Sequence, residues 1–138
     1  MVVGLILVIF WQKEMFREQN NPSFNDPIIS LINKERETNN LLKIQSNSLL
    51  TLSAYNRACY IFQKNDWSHD KFRDFISEAK YFNPLIGENL VRNYSSEEQA
   101  FESLMSSEKH KSLILNSRYT EIGVGRCGNV MVQHFGGR

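Results

Sequence analysis

Two histidines and one glutamate are the side chains of this sequence best suited to chemistry. His69 and His110 lie in polar, loop-like stretches, and Glu88 lies between them in sequence, flanked by Gly87 and Asn89. Imidazole titrates near neutrality and is the commonest metal ligand, and a glycine beside a carboxylate lets the backbone turn tightly and present that side chain. The three residues could hold zinc with an open coordination position, or form an acid–base set. They lack H-E-x-x-H spacing, so the pattern alone indicates a site without defining it.

Other residues of similar types have simpler interpretations. His134 alternates with Val132 on a predicted strand, and its plain interpretation is a solvent-facing side chain. Trp67 fits a core or rim aromatic better than a platform for lipid or carbohydrate. The sequence contains no glycine-rich phosphate loop, no G-x-S-x-G motif and no cysteine–histidine signature. It therefore shows no sign of an activated nucleophile.

The composition narrows the class of protein. The chain has 138 residues, which predicts one domain with at most a tail. Its 16 basic and 15 acidic residues leave a net charge of +1, so there is no excess of positive charge for a phosphate backbone and we expect no nucleic acid partner. Cys59 and Cys127 lack zinc-finger spacing. They could pair if the chain is exported, or serve as small core residues if it is not.

The N-terminal segment has a character of its own. Residues 1–11 carry no charged side chain. As a helix they would extend roughly 16 Å, at about 1.5 Å per residue, against a bilayer core of about 30 Å. We interpret residues 1–11 as the stub of a membrane anchor or a signal-like segment; a first strand or helix packed on the domain is the alternative. Residues 12–25 are predicted to be a polar stalk, and residues 26–138 the domain.

Helices are predicted over much of the domain, beginning at the Asp26-Pro27 pair, where Asp26 caps the first helix and proline fits its first turn. Asn39-Asn40 ends that helix. Ser48 is the predicted cap of a second helix that ends near Lys64-Asn65. A third helix is predicted over residues 71–81. Ser95 and Glu98 form the predicted capping box of the next helix. The predicted buried face of the second helix comprises Leu49, Leu52, Tyr55/Asn56, Cys59 and Tyr60.

The end of the chain changes its period from helical to alternating. Residues 119–126 and 130–135 alternate between apolar and polar, and Cys127-Gly128-Asn129 separates them, which predicts a β-hairpin. Beside the predicted buried face of the second helix, Ala54 and Ala58 are spaced one turn apart, which permits close approach of a second helix or a sheet. Helices followed by an antiparallel hairpin indicate an α+β fold.

These residues together resemble the CAP superfamily (cysteine-rich secretory proteins, antigen 5 and pathogenesis-related 1), in particular its bacterial extracellular branch. The resemblance covers about residues 28–136 and depends on the order and spacing of several short motifs. The matching residues are Leu31-Ile32-Asn33-Lys34-Glu35-Arg36, Ala54, Ala58, Trp67-Ser68-His69, Gly87-Glu88-Asn89-Leu90, Ser107, His110, Ile114-Leu115, Ile122-Gly123-Val124-Gly125 and Val132-Gln133-His134-Phe135.

The resemblance implies an α-β-α sandwich with a central antiparallel sheet. It implies a cleft where His69, Glu88 and His110 converge, with Gln133 on a strand nearby. In many members such a cleft binds zinc or another divalent cation, here through His69 and His110. The chain departs from the larger members of the family because neither Glu102 nor Glu108, the nearby candidates, securely matches their second cleft glutamate.

Three functions follow from this resemblance. The first is an extracytoplasmic module, secreted or membrane-anchored through its N-terminus, that binds a lipid, a cell-wall component or a surface protein. The second is a zinc-dependent hydrolase in which His69 and His110 hold the metal and Glu88 is the general base. The third is an acid–base site without metal. We rank them in that order, because one fold hosts many functions and no activated nucleophile is visible.

Overall fold

A computed structural model describes residues 26–138 of the chain. The first helix, α1, spans Pro27–Thr38 and begins as predicted, since the Asp26 carboxylate accepts a hydrogen bond from the Ile28 amide at 3.1 Å. Its end at Asn39 also confirms the prediction. The predicted segments 1–11 and 12–25 lie outside the described residues. No helix within 26–138 is long and apolar enough to cross a membrane.

The second helix, α2, spans Ser48–Lys64. Its cap is Asn47, whose side chain accepts from two main-chain amides in the first turn of the helix, so the predicted cap at Ser48 is wrong by one residue. The predicted buried face is also wrong, because Leu49, Leu52 and Tyr55 are 40%, 50% and 52% exposed. The buried face is instead the neighbouring one: Leu50, Ser53, Ala54, Arg57, Ala58 and Ile61.

Close packing against the sheet explains this choice of face. Gly123 and Gly125 lie directly under α2, where an added Cβ would overlap the main chain of the helix around Leu50 and Ala54. The helix therefore rests on its small residues, and the close approach predicted from Ala54 and Ala58 is confirmed. A face carrying Leu52 and Tyr55 could not come this near.

Three shorter helices complete the helical part of the described chain. Helix α3 spans Phe72–Glu78 and is shorter than the predicted 71–81. Helix α4 spans Glu97–Met105 and α5 spans Glu108–Ile114. The cap of α4 is one residue later than predicted: the Ser96 hydroxyl accepts from the Gln99 amide, while the Gln99 side chain accepts from the amide of Ser95.

The sheet has four strands in the order β1-β3-β4-β2: β1 is Gln45–Ser46, β2 Leu85–Arg92, β3 Tyr119–Cys127 and β4 Val130–Gly137. The three long strands pair antiparallel, and the short β1 pairs parallel with β3. The predicted hairpin is confirmed as β3 and β4. Strand β2, which the sequence pattern did not predict, lies at the outer edge beside β4.

Side chains alternate across this sheet to form two apolar layers. On one face, Val124 of β3 and Phe135 of β4 pack with the buried sides of α1, α4 and α5. On the other face, Leu90 of β2 and Val132 of β4 pack with α2. The three layers confirm the α-β-α arrangement. Cys59 and Cys127 form a disulfide between α2 and the end of β3, which resolves the two alternatives for the cysteines.

Candidate functional site

Strand β2 places the Gly87-Glu88-Asn89 motif at the sheet edge. Because alternate side chains of a strand point to opposite faces, Glu88 lies on the α2 face while Asn89 lies on the α5 face. Gly87 has no room for a side chain, since an added Cβ would lie 2.5 Å from the Tyr119 hydroxyl oxygen and 2.9 Å from Leu113 Cδ2. Because β2 is the outer strand and pairs only with β4 among the described strands, side chains from its two faces can approach each other around its unpaired edge.

The Glu88 carboxylate is the centre of a buried polar network. Its Oε1 lies 2.8 Å from His69 Nδ1, and its Oε2 lies 2.9 Å from His134 Nε2 and 3.1 Å from Arg57 Nε. The Glu88 side chain is only 1% exposed, and that of Arg57 is fully buried. Both carboxylate oxygens are therefore committed to donors from within the protein.

His134 lies at the opposite end of this network from solvent. It is fully buried, so the interpretation as a solvent-facing residue is wrong; β4 turns it inward beside Glu88. Burial lowers the pKa of His134 most strongly, and the Arg57 charge lowers it further, while Glu88 opposes both effects. We assign the neutral form with the proton on Nε2, which donates to Glu88, while Nδ1 accepts from the Ser53 hydroxyl.

Glu88 is ionised within this network. Burial by itself would raise the pKa of Glu88, but the hydrogen bonds from His134 and Arg57, together with the Arg57 charge, lower it below its ordinary value. Arg57 is the permanent cation that compensates the carboxylate. It also donates to the carbonyl oxygen of Ser68, and so holds the loop that carries His69 against Glu88.

His69 is the point at which this network meets solvent. Its side chain is 56% exposed, while its Nδ1 contacts the Glu88 carboxylate. A carboxylate can only accept, so Nδ1 donates to Glu88, and Nε2 is the ring nitrogen that Glu88 leaves unengaged. The contact thus fixes both the orientation and the tautomer of His69, as carboxylates behind metal-binding histidines commonly do.

His110 is held from the other face of β2. The Asn89 amide donates to the His110 carbonyl oxygen at 3.2 Å and to Gln133 Oε1 at 3.2 Å. Burial lowers the pKa of His110, and a positive charge on His69 would lower it further. Asn89 Oδ1 and Gln133 Nε2 are buried with no hydrogen-bond partner among residues 26–138. A ligand or an ordered water would supply the hydrogen-bond partners that these two atoms lack.

The structure thus brings the predicted site residues to one strand edge, but it gives them unequal roles. Within residues 26–138, no group of three or more histidine, cysteine or acidic side chains is arranged to hold a metal ion. Glu88 is a poor third ligand because its side chain is 1% exposed and both of its oxygens already accept hydrogen bonds. His69 and His110 are the residues that could hold a metal, and Glu88 is the hydrogen-bond partner behind His69.

Arg57, Ser53 and His134 are the residues of the network that the sequence analysis missed. One signal was available for Arg57: it shares a face of α2 with Ala54, Ala58 and Ile61 at helical spacing. A charge on a small-residue face is buried only when it is paired, which pointed to a carboxylate opposite.

Comparison with known proteins agrees with this architecture. The sequence pattern of the cysteine-rich secretory protein (CAP) family matches residues 29–135. The chain belongs to this family. YkwD of Bacillus subtilis is 28% identical to it over 127 residues, covering 84% of this chain and 48% of YkwD. The membrane protein YlbC of the same organism is 28% identical over 113 residues, covering 78% and 33%. The CAP chain therefore spans about half or less of these relatives.

Solved structures show the same fold. An extracellular protein containing an SCP domain from Bacillus anthracis has a TM-score of 0.78 and 26% identity, covering 80% of this chain and 39% of that one. An outer surface protein from Borrelia burgdorferi has a TM-score of 0.74 and 21% identity, covering 80% and 90%. The predicted membership of the CAP superfamily is confirmed, and with it the expected fold.

Proposed function

We propose that this CAP domain works outside the cytoplasm as a ligand-binding module whose cleft holds a divalent cation, such as zinc, between His69 and His110. The observation that carries the proposal is the Glu88–His69 contact of 2.8 Å, which commits Nδ1 and turns Nε2 outward. A buried network of this kind, ending on a half-exposed imidazole, is built to present that nitrogen. When bound, the cation would supply a Lewis-acidic position for an anionic or carbonyl group of the ligand.

The hydrolase alternative receives less support from the geometry. Its general base was Glu88, but the carboxylate already accepts from Arg57, His69 and His134 and its side chain is 1% exposed. A general base must reach the water that it activates. Glu88 therefore fits a positioning residue for His69 better than a catalytic base.

Zinc binding tests the proposal directly. We expect calorimetry on the full chain at pH 7.5 to detect zinc, and His69→Ala and His110→Ala each to abolish the binding. Acid should weaken it at pH 5.5, because the imidazoles must lose their protons to bind metal. Glu98→Gln, an exposed change on α4, is the control. Absence of binding in folded wild-type protein, or binding that survives both histidine changes, would overturn the proposal.

The extracytoplasmic location is supported by two observations. The Cys59–Cys127 disulfide is typical of oxidising compartments, and similar structures come from extracellular and outer-surface proteins. Residues 1–11 are the proposed membrane attachment. We expect a membrane-impermeant protease to digest the protein on intact cells, and detergent, rather than salt, to release it from membranes. Protection of the chain in intact cells, with lysis restoring digestion, would contradict this location.

The ligand class is also a proposal, with a cell-wall component, a lipid and a surface protein as its candidates. Immobilised wild-type protein and the His69→Ala variant would be compared for retention of purified cell-wall fragments, lipid vesicles and solubilised surface proteins, with and without zinc. We expect one class to be retained by the wild type alone. Equal retention by the wild type and the His69→Ala variant would show that the ligand binds somewhere other than the cleft.

A further inference from the structure

A cavity of about 280 Å³ lies beyond the CAP cleft, at the far end of α2. Its walls come from the end of α2, the loop that follows it, the end of β2 and the β3–β4 turn. The residues that matter here are Phe62, Asn65, Trp67, Arg92 and Asn129. Neither His69 nor His110 lines it. Its volume is near the lower end of the range for small-molecule sites, about 300–1,000 Å³, and suits a single ring better than a lipid chain.

Aromatic surface is exposed around this cavity. Phe62 is 51% exposed and Trp67 39%. Both rings line the same small space, so their exposure is concentrated there rather than scattered singly over the surface. Flat apolar rings of this kind offer a stacking surface to the C–H face of another ring. Asn65 adds an amide group that can donate to and accept from hydroxyl groups, and Asn129, whose amide nitrogen also donates to Asn93 Oδ1, adds a carbonyl acceptor.

Arg92 contributes the cavity's positive charge. Its guanidinium carbon lies 4.4 Å from the centroid of the Trp67 ring, an arrangement that fixes the side chain in place. Within residues 26–138, no carboxylate forms an ion pair with it. By contrast, Arg126 binds two carboxylates and Arg57 binds one. A guanidinium that is held in place and has no carboxylate partner can donate two parallel hydrogen bonds to a carboxylate or phosphate of a ligand.

We infer that this cavity binds a sugar ring that carries a negative charge. The ring of Phe62 would cover the apolar face of the sugar, the asparagines would bind its hydroxyls, and Arg92, held on the face of Trp67, would bind its acidic group. A polyanion such as nucleic acid is disfavoured because the chain has almost no net charge. This inference does not depend on the cation site, since the two sites share no side chain.

Nuclear magnetic resonance of the isotope-labelled full chain in mild detergent tests the inference. The probes are glucuronate, N-acetylmuramate, glucose 6-phosphate and neutral glucose. The readout is the indole N–H signal of Trp67, which the Trp67→Phe variant distinguishes from that of Trp11. We expect an acidic sugar to shift this signal and to bind about tenfold or more tightly than glucose, the margin of one charge-assisted hydrogen bond. The comparison of carboxylate with phosphate sugars identifies the preferred acid.

Two arginine variants complete the design. Arg92→Gln should bring the acidic sugar down to the affinity of glucose. Arg73→Gln is the matched control, because Arg73 is also an exposed arginine over an aromatic ring, 5.2 Å from the centroid of Phe72, and lies outside the cavity. No shift with any probe, equal binding of glucose and the acids, or equal loss in both arginine variants would overturn the inference. We expect the arginine variants to bind zinc as the wild type does, because the cavity and the cation site share no side chain.

Discussion

The Glu88→Gln substitution is the sharpest perturbation of the buried network, because it removes a charge and keeps the shape of the side chain. The glutamine amide can rotate so that its oxygen accepts from Arg57 and His134 at the former Oε2 position. Its NH₂ group then faces His69 Nδ1, which can accept only if the His69 proton moves to Nε2. The hydrogen bonds survive in this arrangement, and the loss is confined to charge and tautomer.

The stability cost follows from Arg57. With Glu88 neutral, the guanidinium keeps its charge in a site where its side chain is fully buried and Nη1 already lacks a partner among residues 26–138. Removing one member of a buried ion pair costs about 3–5 kcal/mol. We therefore expect the free energy of unfolding, measured by urea denaturation at pH 7.5, to fall by about that amount. The exposed Glu98→Gln change should stay within about 0.5 kcal/mol of wild type.

The pH dependence gives a second readout of the same contact. The pKa of Glu88 is lowered by folding, so its contribution to stability is present above its unfolded value of about 4.3 and is lost as pH falls through the folded value. The difference between wild type and Glu88→Gln should thus be constant near neutrality and shrink in acid.

A double variant separates this explanation from general disruption of the core. Arg57→Met removes the cation, so Glu88→Gln in that background leaves no charge unpaired. The double variant should be more stable than the sum of the two single losses predicts, by about 0.5–3 kcal/mol. A Glu88→Gln loss below about 1 kcal/mol, or strictly additive losses, would refute the reasoning. The tautomer shift adds one consequence: zinc affinity should weaken by about 10–100-fold.

Other parts of the domain offer equally direct tests. Buried Arg36 donates to four main-chain carbonyls. Arg36→Met should therefore lower the free energy of unfolding by about 2–5 kcal/mol, while the exposed control Arg118→Met should change it little. Equal losses for the two variants in urea titrations would contradict this. Reduction of the Cys59–Cys127 disulfide should cost roughly 4 kcal/mol and lower the melting temperature, whereas the double serine variant should not respond to reductant. Gly123→Ala should destabilise by about 1–3 kcal/mol through overlap with α2; unchanged thermal unfolding would argue against close packing.

The parts of the fold that the sequence predicted are those with local signals. The Asp26-Pro27 helix start and the glycine-containing turn of the β3–β4 hairpin depend on residues that are neighbours in the chain. The buried face of α2 depends on distant residues. The predicted face carries Leu49 and Leu52, but Gly123 and Gly125 bring the sheet against the main chain of the helix around Leu50 and Ala54. Hydrophobicity alone could not choose between the two faces.

The candidate site was harder to predict for a related reason. Glu88 and Asn89 are polar residues in the middle of a buried strand, and they interrupt the apolar pattern by which β2 would have been predicted. The alternation of β4 made His134 look like a solvent-facing residue. It lies instead opposite Glu88 on the neighbouring strand and donates to its buried carboxylate. The residue types and the family resemblance indicated His69, Glu88 and His110 as candidates, while only the fold shows which donor each Glu88 oxygen accepts from.

Charge balance links the network to the proposed function. Arg57 and Glu88 cancel, and His134 is neutral, so the buried part of the site carries no net charge. A divalent cation between His69 and His110 would then have no protein anion in direct contact and would keep almost its full charge. Such a centre binds modestly by itself and more strongly together with an anionic ligand. We therefore expect zinc affinity to rise when a carboxylate or phosphate ligand is present, and a ligand-independent affinity would argue that a further acidic group takes part.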